Sequence, residues 1–136
     1  MSIIMDNDYV NISYHESESL VEMVWKKTTG QMDLSIYQAA FNAALDYQEN
    51  HHGTVKNFLS DIRLQSVLSP DYRKWFQETA IPRAISNGLE RGAVIFEGNV
   101  FQKYYLNNIM NSTKKFGIKF KFFTKREEAI EWFKTA

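Results

Sequence analysis

Two short segments near the start of the chain constrain its fold more than any other feature. In residues 9–15 apolar side chains occupy every second position, and residues 20–27 repeat this pattern. A period of two is typical of strands that bury one face. Because only the polar residues 16–19 separate the two segments, they predict an antiparallel hairpin.

Helical and strand patterns alternate along the rest of the chain. Apolar residues at helical spacing predict amphipathic helices, and short apolar runs between them predict strands. We expect Pro82 to interrupt the second helix, because proline removes a backbone hydrogen bond. The predicted order is β-β-α-β-α-β-α-β-α, with strands at 9–15, 20–27, 58–62, 93–96 and 118–122, and with helices at 33–50, 69–89, 99–115 and after a capping box of Thr124 and Glu127.

This alternation favours an α/β fold. We expect a mixed sheet in which the N-terminal hairpin is followed by parallel strands joined through right-handed crossovers. Residues 1–136 are predicted to form a single domain, in which residues 1–8 are a loose N-terminal segment. The predicted core consists of Val10, Ile12, Val21, Met23, Phe41, Leu45, Leu59, Trp75, Val94, Ile95, Phe120, Ile130 and Phe133.

Composition narrows the classes of protein that the chain can belong to. Sixteen basic and 16 acidic residues give a net charge of zero, which argues against a nucleic-acid partner. The sequence has no cysteine, so disulfides and thiol nucleophiles are excluded, and a cytoplasmic location is expected. Residues 1–9 have no basic n-region and no long apolar run, so we expect no signal peptide. No stretch approaches 18 apolar residues, so we expect no integral membrane association.

Four local patterns resemble the STAS-like, or SpoIIAA-like, family of anti-sigma-factor antagonists. They are the glycine, turn and aromatic at 30–37, the acid that ends the strand at 59–61, the proline, glycine, arginine and alanine between 82 and 94, and the acid-rich helix at 127–133. The antagonists' Asp-Ser-Ser-Gly signature is missing, because residues 67–70 are Val-Leu-Ser-Pro. The chain therefore resembles most the bacterial branch that lacks this phosphoserine signature. The resemblance implies a SpoIIAA-like mixed sheet and a non-catalytic regulatory or protein-interaction module.

The resemblance also concerns one serine. In the antagonists a serine at the start of the second helix is phosphorylated, and Ser69 lies at about the matching place. Pro70 removes one of the amides that would hold a phosphate. We therefore expect Ser69 to be a helix N-cap rather than a phosphoacceptor.

The loops that follow the third and fourth predicted strands supply the candidate ligand- or partner-binding residues. Ligands of parallel sheets commonly bind beyond the carboxyl ends of the strands, where helix N-termini also attract anions. The structural alternative is an N-cap at Ser69 and an ion pair between Asp61 and Arg63. The candidates are Asp61, Arg63, Ser66, Ser69, Glu97 and Asn99.

No catalytic residue, metal site or cofactor is predicted. The sequence lacks the G-x-S-x-G, G-x-G-x-x-G, P-loop and H-E-x-x-H motifs. His51 and His52 lie near Glu49 and would suit a metal, but a solvated helix end that complements the helix dipole is favoured. His15 is expected to be exposed on the polar face of the first predicted strand.

A basic segment leaves a further alternative open. Residues 103–126 carry seven basic residues, no acid and several interleaved aromatic residues, as in a nucleic-acid surface or a face that binds lipid headgroups. Alternation at 118–122 instead favours aromatic residues in the core and lysines that protect an edge strand from pairing. We favour the second interpretation.

The functional hypotheses come from different classes. The first is the regulatory or interaction module, bound to another protein or to itself. Ten Phe, seven Tyr and three Trp residues exceed what a small core readily buries, which favours a homo-oligomer. The alternative is a small-molecule or lipid carrier with an apolar groove between amphipathic helices, and a third is a hydrolase without a recognised motif.

Overall fold

Six strands form one mixed sheet in the sequential order β1-β2-β3-β4-β5-β6. The computed structural model describes residues 1–27, 32–65, 69–98 and 100–135, without the side chains at 100–102, 105, 112 and 115. The strands are β1 (Ser2–Asp6), β2 (Val10–His15), β3 (Leu20–Trp25), β4 (Asn57–Asp61), β5 (Arg91–Ile95) and β6 (Lys119–Phe123). The helices are α1 (Leu34–Asn50), α2 (Pro70–Trp75), α3 (Ile81–Ser86), α4 (Val100–Thr113) and α5 (Arg126–Lys134).

The pairing of the strands confirms the predicted mixed sheet. β2 and β3 form the predicted antiparallel hairpin, and β3 to β6 are all parallel to their neighbours. Each parallel pair is joined by a helical crossover, because parallel neighbours need a long connection.

The expectation of a loose N-terminal segment is wrong. Residues 2–6 form β1, an edge strand that pairs antiparallel with β2 and has an irregularity between Ile3 and Met5. Ile4 and Met5 are half-buried against the main core cluster, so apolar burial stabilises this strand. Its short run of apolar residues has no clear period of two, which is why the pattern did not predict it.

The two faces of the sheet are covered by different helices. Alternate strand residues such as Val21, Met23 and Val94 pack with residues of α1, α2, α3 and α4, and we call this side the helical-layer face. The intervening residues, such as Leu20 and Leu59, pack under α5 on the opposite side, which we call the α5 face. The period of two in the strands thus separates two apolar clusters.

Proline interrupts the second helical segment as predicted. α2 and α3 are joined by one π-helical turn at Phe76–Ala80, and Pro82 lies at the start of α3. Proline has no amide to continue the regular ladder, so the extra residue of a π turn accommodates the break.

Some local predictions differ from the structure. Trp75, Phe120 and Ile130 are only partly buried, whereas the other predicted core residues are buried. The capping box is wrong, because Lys125 takes the N-cap position of α5 and no side chain there bonds to the backbone.

Candidate functional site

Asp61 and Arg63 form an ion pair at the carboxyl end of β4. This pair was the structural alternative to a role of these residues in binding. The Arg63 Nε and Nη2 atoms donate to the two carboxylate oxygens of Asp61 at 3.0 and 2.7 Å. The Arg63 amide donates to the same carboxylate at 3.2 Å, and Asp61 is buried. Hydrogen bonds to Asp61 raise the pKa of Arg63, and the charges of Glu127 and Glu97 add to this effect.

The other predicted site residues divide into three cases. Glu97 lies close enough to Arg63 for their charges to interact. Ser66 and Asn99 lie outside the described residues. In the described part of the chain, no hydrogen bond or ion pair joins Ser69 to the Asp61–Arg63 pair.

Ser69 takes the N-cap position of α2 without a side-chain cap. Its backbone is extended, and its carbonyl accepts a hydrogen bond from the Tyr72 amide at 3.1 Å. Its hydroxyl donates instead to the Asp71 carboxylate at 2.5 Å. The backbone position was therefore predicted correctly, but the capping bond was not. A phosphate on Ser69 would lie beside this carboxylate and be repelled by it.

We expect Ser69→Ala to change the free energy of unfolding by less than about 0.5 kcal/mol, because no capping bond is lost. Ser69→Asp should destabilise the protein more than Ser69→Ala, because it sets two carboxylates side by side. Urea denaturation of both variants measures this order. A loss of 1 kcal/mol or more in Ser69→Ala would show that the hydroxyl caps the helix in solution.

A buried carboxylate on the α5 face is the centre of a polar cluster that the sequence did not indicate. Glu22 is 5% exposed, and both of its oxygens accept from Arg126, with Nε at 2.7 Å and Nη2 at 3.0 Å. His15 Nε2 lies 2.9 Å from Glu22 Oε1 and 3.1 Å from Ser13 Oγ. His15 is thus half-buried, and the expectation that it is exposed was wrong. The hydrogen bond to Glu22 raises the pKa of Arg126.

This cluster joins the start of α5 to the sheet. Ser, His and Glu recur in hydrolases, but there the serine and the acid contact different ring nitrogens of the histidine. Here Ser13 and Glu22 contact the same nitrogen of His15, and Ser13 is buried. The arrangement favours a structural clamp over a nucleophile.

A cleft of about 470 Å³ opens at the amino ends of β4, β5 and β6. We call it the amino-end cleft. Its charged lining residues are Lys56, Glu90, Arg91 and Lys119, and its apolar ones include Phe116 and Phe133. It lies at the opposite end of the parallel strands from the predicted site. The sequence did not indicate it, because ligand sites were expected at the carboxyl ends of the strands.

A smaller apolar space lies on the helical-layer face, between the sheet and α1, α3 and the π turn. Its volume is about 50 Å³, and a second space of about 30 Å³ shares Phe41, Ser60, Phe76 and Val94 with it.

The histidine pair at the end of α1 contacts the helix itself. His51 Nδ1 lies 2.8 Å from the Tyr47 carbonyl oxygen, and its ring stacks on that of Tyr47. Within the described ranges, no group of three or more His, Asp or Glu residues could hold a metal ion. Within the same ranges, no helix is both long and apolar enough to cross a membrane.

No family model, curated protein or solved structure matches the chain.

Proposed function

We propose that the protein is a non-catalytic regulatory or protein-interaction module of STAS-like fold that works in the cytoplasm. From β2 onward its elements follow the order that the family resemblance implies, with α2 and α3 together as one interrupted helix. The additional strand β1 extends the sheet at one edge. Fold alone does not define function, so the proposal depends on what this edge presents to a partner.

The observation that carries the proposal is the contrast between the two edges of the sheet. β6 carries Lys119 and Lys121 at alternate positions, a common protection against edge pairing. β1 has neither lysine nor proline, and its apolar Ile3 is 54% exposed. In the described part of the chain, no strand pairs with the outer side of β1. An exposed sheet edge of this kind is a surface to which a partner can add a strand.

The partner we propose for β1 is a second copy of this chain. Two β1 strands related by a two-fold axis would pair antiparallel and continue both sheets, so that one surface is complementary to itself. Several of the aromatic residues that favour self-association pack instead within the core of one chain. Trp25, Tyr37, Phe41 and Trp75 contact one another within the helical-layer cluster.

We expect the protein to form a concentration-dependent dimer, and we expect Ile3→Lys to raise its dissociation constant at least about tenfold. The substitution places a charge on the pairing edge, where natural edge strands carry one to prevent association. Light scattering coupled to size-exclusion chromatography, over a range of loading concentrations, measures the dissociation constants of the wild type and the variant.

Leu64→Lys is the matched control. Leu64 is 55% exposed, almost the same as Ile3, but lies outside the sheet. Its dimerisation should equal that of the wild type. A wild-type monomer at all concentrations, or equal losses in both variants, would contradict self-association through β1.

The carrier alternative is favoured by one observation, the apolar space under the π turn. About 50 Å³ is well below the roughly 300 to 1,000 Å³ of ordinary ligand sites. A lipid would therefore enter only if α1 and the π turn moved apart. Organic extraction and mass spectrometry of the purified protein test this. A stoichiometric apolar compound would favour the carrier over the interaction module.

A further inference from the structure

We propose that the amino-end cleft binds a small molecule that carries an anionic group on a flat apolar body. This site is separate from the β1 edge, so its test does not depend on whether the protein self-associates. Among the described residues, the cleft is lined by three basic side chains, Lys56, Arg91 and Lys119, and by one acid, Glu90.

The register of the sheet places two of these basic residues side by side. Arg91 of β5 lies directly opposite Lys119 of β6, and both belong to the α5 face. Neighbouring strands are about 4.8 Å apart, and like charges that are directly opposed destabilise a sheet. Within the described residues, no carboxylate lies within 4.0 Å of the Lys119 or the Lys56 ammonium group. A bound anion would relieve this repulsion.

Arg91 is held in position before any ligand arrives. Its Nη1 donates to the Trp132 carbonyl at 2.9 Å and to the Thr135 hydroxyl at 3.3 Å, near the end of α5. The guanidinium also lies 5.5 Å from the centre of the Trp132 ring, within cation–π range. Within the described part of the structure, both of these hydrogen bonds use Nη1. The N–H groups of Nε and Nη2 can therefore donate to a ligand.

The rest of the cleft is suited to an apolar body. Phe116, which is 41% exposed, and Ile118 form part of the wall, together with Leu89. The volume of about 470 Å³ lies within the usual range of small-molecule sites. A few charged groups on apolar walls define a site for an amphiphilic anion such as an aromatic carboxylate, sulfonate or phosphate.

Fluorescence titration with anilinonaphthalene sulfonate tests the proposal, with the uncharged N-phenylnaphthylamine as the matched neutral probe. We expect the sulfonate to bind more tightly than the neutral amine. Lys119→Gln should weaken sulfonate binding about tenfold and leave the binding of the neutral amine within twofold.

Lys121→Gln is the control, because Lys121 is an exposed lysine on the same strand and face but outside the cleft. It should change sulfonate binding less than twofold. Lys119→Gln should also melt at or above the wild-type temperature, because it removes the repulsion with Arg91. Equal sulfonate affinity in the wild type and Lys119→Gln, or equal losses in the two variants, would overturn the proposed site.

Discussion

Phe41→Ala is expected to lower the free energy of unfolding by about 3 to 5 kcal/mol, the usual cost of removing a buried phenylalanine. Phe41 is 5% exposed and contacts the rings of Trp25, Tyr37, Trp75 and Phe76 at centroid distances between 4.9 and 6.1 Å. It also borders both small apolar spaces, so the truncated side chain would enlarge a void that already exists. Chemical denaturation measures the loss.

Phe116→Ala is the matched control, because Phe116 is 41% exposed. It should cost less than Phe41→Ala, by about 2 kcal/mol or more, since a large part of its surface is already in contact with water. An unchanged free energy of unfolding in Phe41→Ala would show that the inner face of α1 is misassigned.

Arg126→Leu is expected to destabilise the protein by about 2 kcal/mol, because among the described residues it leaves the buried Glu22 carboxylate with His15 alone as a partner. Removing one partner of a fully buried pair costs about 3 to 5 kcal/mol. The Arg126 side chain is 42% exposed, so water reaches the vacated position and reduces the cost.

Two further variants separate the cost of leaving a buried carboxylate without its arginine from the cost of removing a surface arginine. Arg83→Leu breaks a similar pair with Asp46 and Glu49, but both carboxylates are exposed, so it should cost less than about 1 kcal/mol. The double variant Glu22→Gln/Arg126→Leu should recover part of the loss, because no buried charge remains. Equal losses in Arg126→Leu and Arg83→Leu would show that Glu22 is well solvated.

The elements of the fold were predictable where local pattern and tertiary burial agree. The alternating apolar positions of the hairpin predicted β2 and β3, and the short apolar run near residue 94 predicted β5. β1 was missed because residues 3–5 are all apolar, and only the pairing with β2 decides which of them face inward. The role of the Ser69 hydroxyl was misassigned, because it donates to the Asp71 carboxylate and does not accept a hydrogen bond from a backbone amide as a cap would.

The surfaces with functional interest were less predictable. Glu22 and Arg126 are 104 residues apart, and nothing in the local sequence of either indicates the other. The amino-end cleft combines the first residues of three strands with the end of α5, so it exists only once the register is fixed. The pair of Asp61 and Arg63 could be predicted because its members are only two positions apart in the sequence.

Hydrogen–deuterium exchange of the β1 amides at several protein concentrations tests the proposed interaction surface most directly. Pairing of two β1 strands would bond the outward amides of Ser2–Asp6, which lack a partner strand among the described residues of one chain. We expect the peptide that contains β1 to exchange more slowly as concentration rises, while the peptide that contains β6 exchanges at a constant rate. Exchange in β1 that does not depend on concentration, from dilute to concentrated solution, would contradict the account.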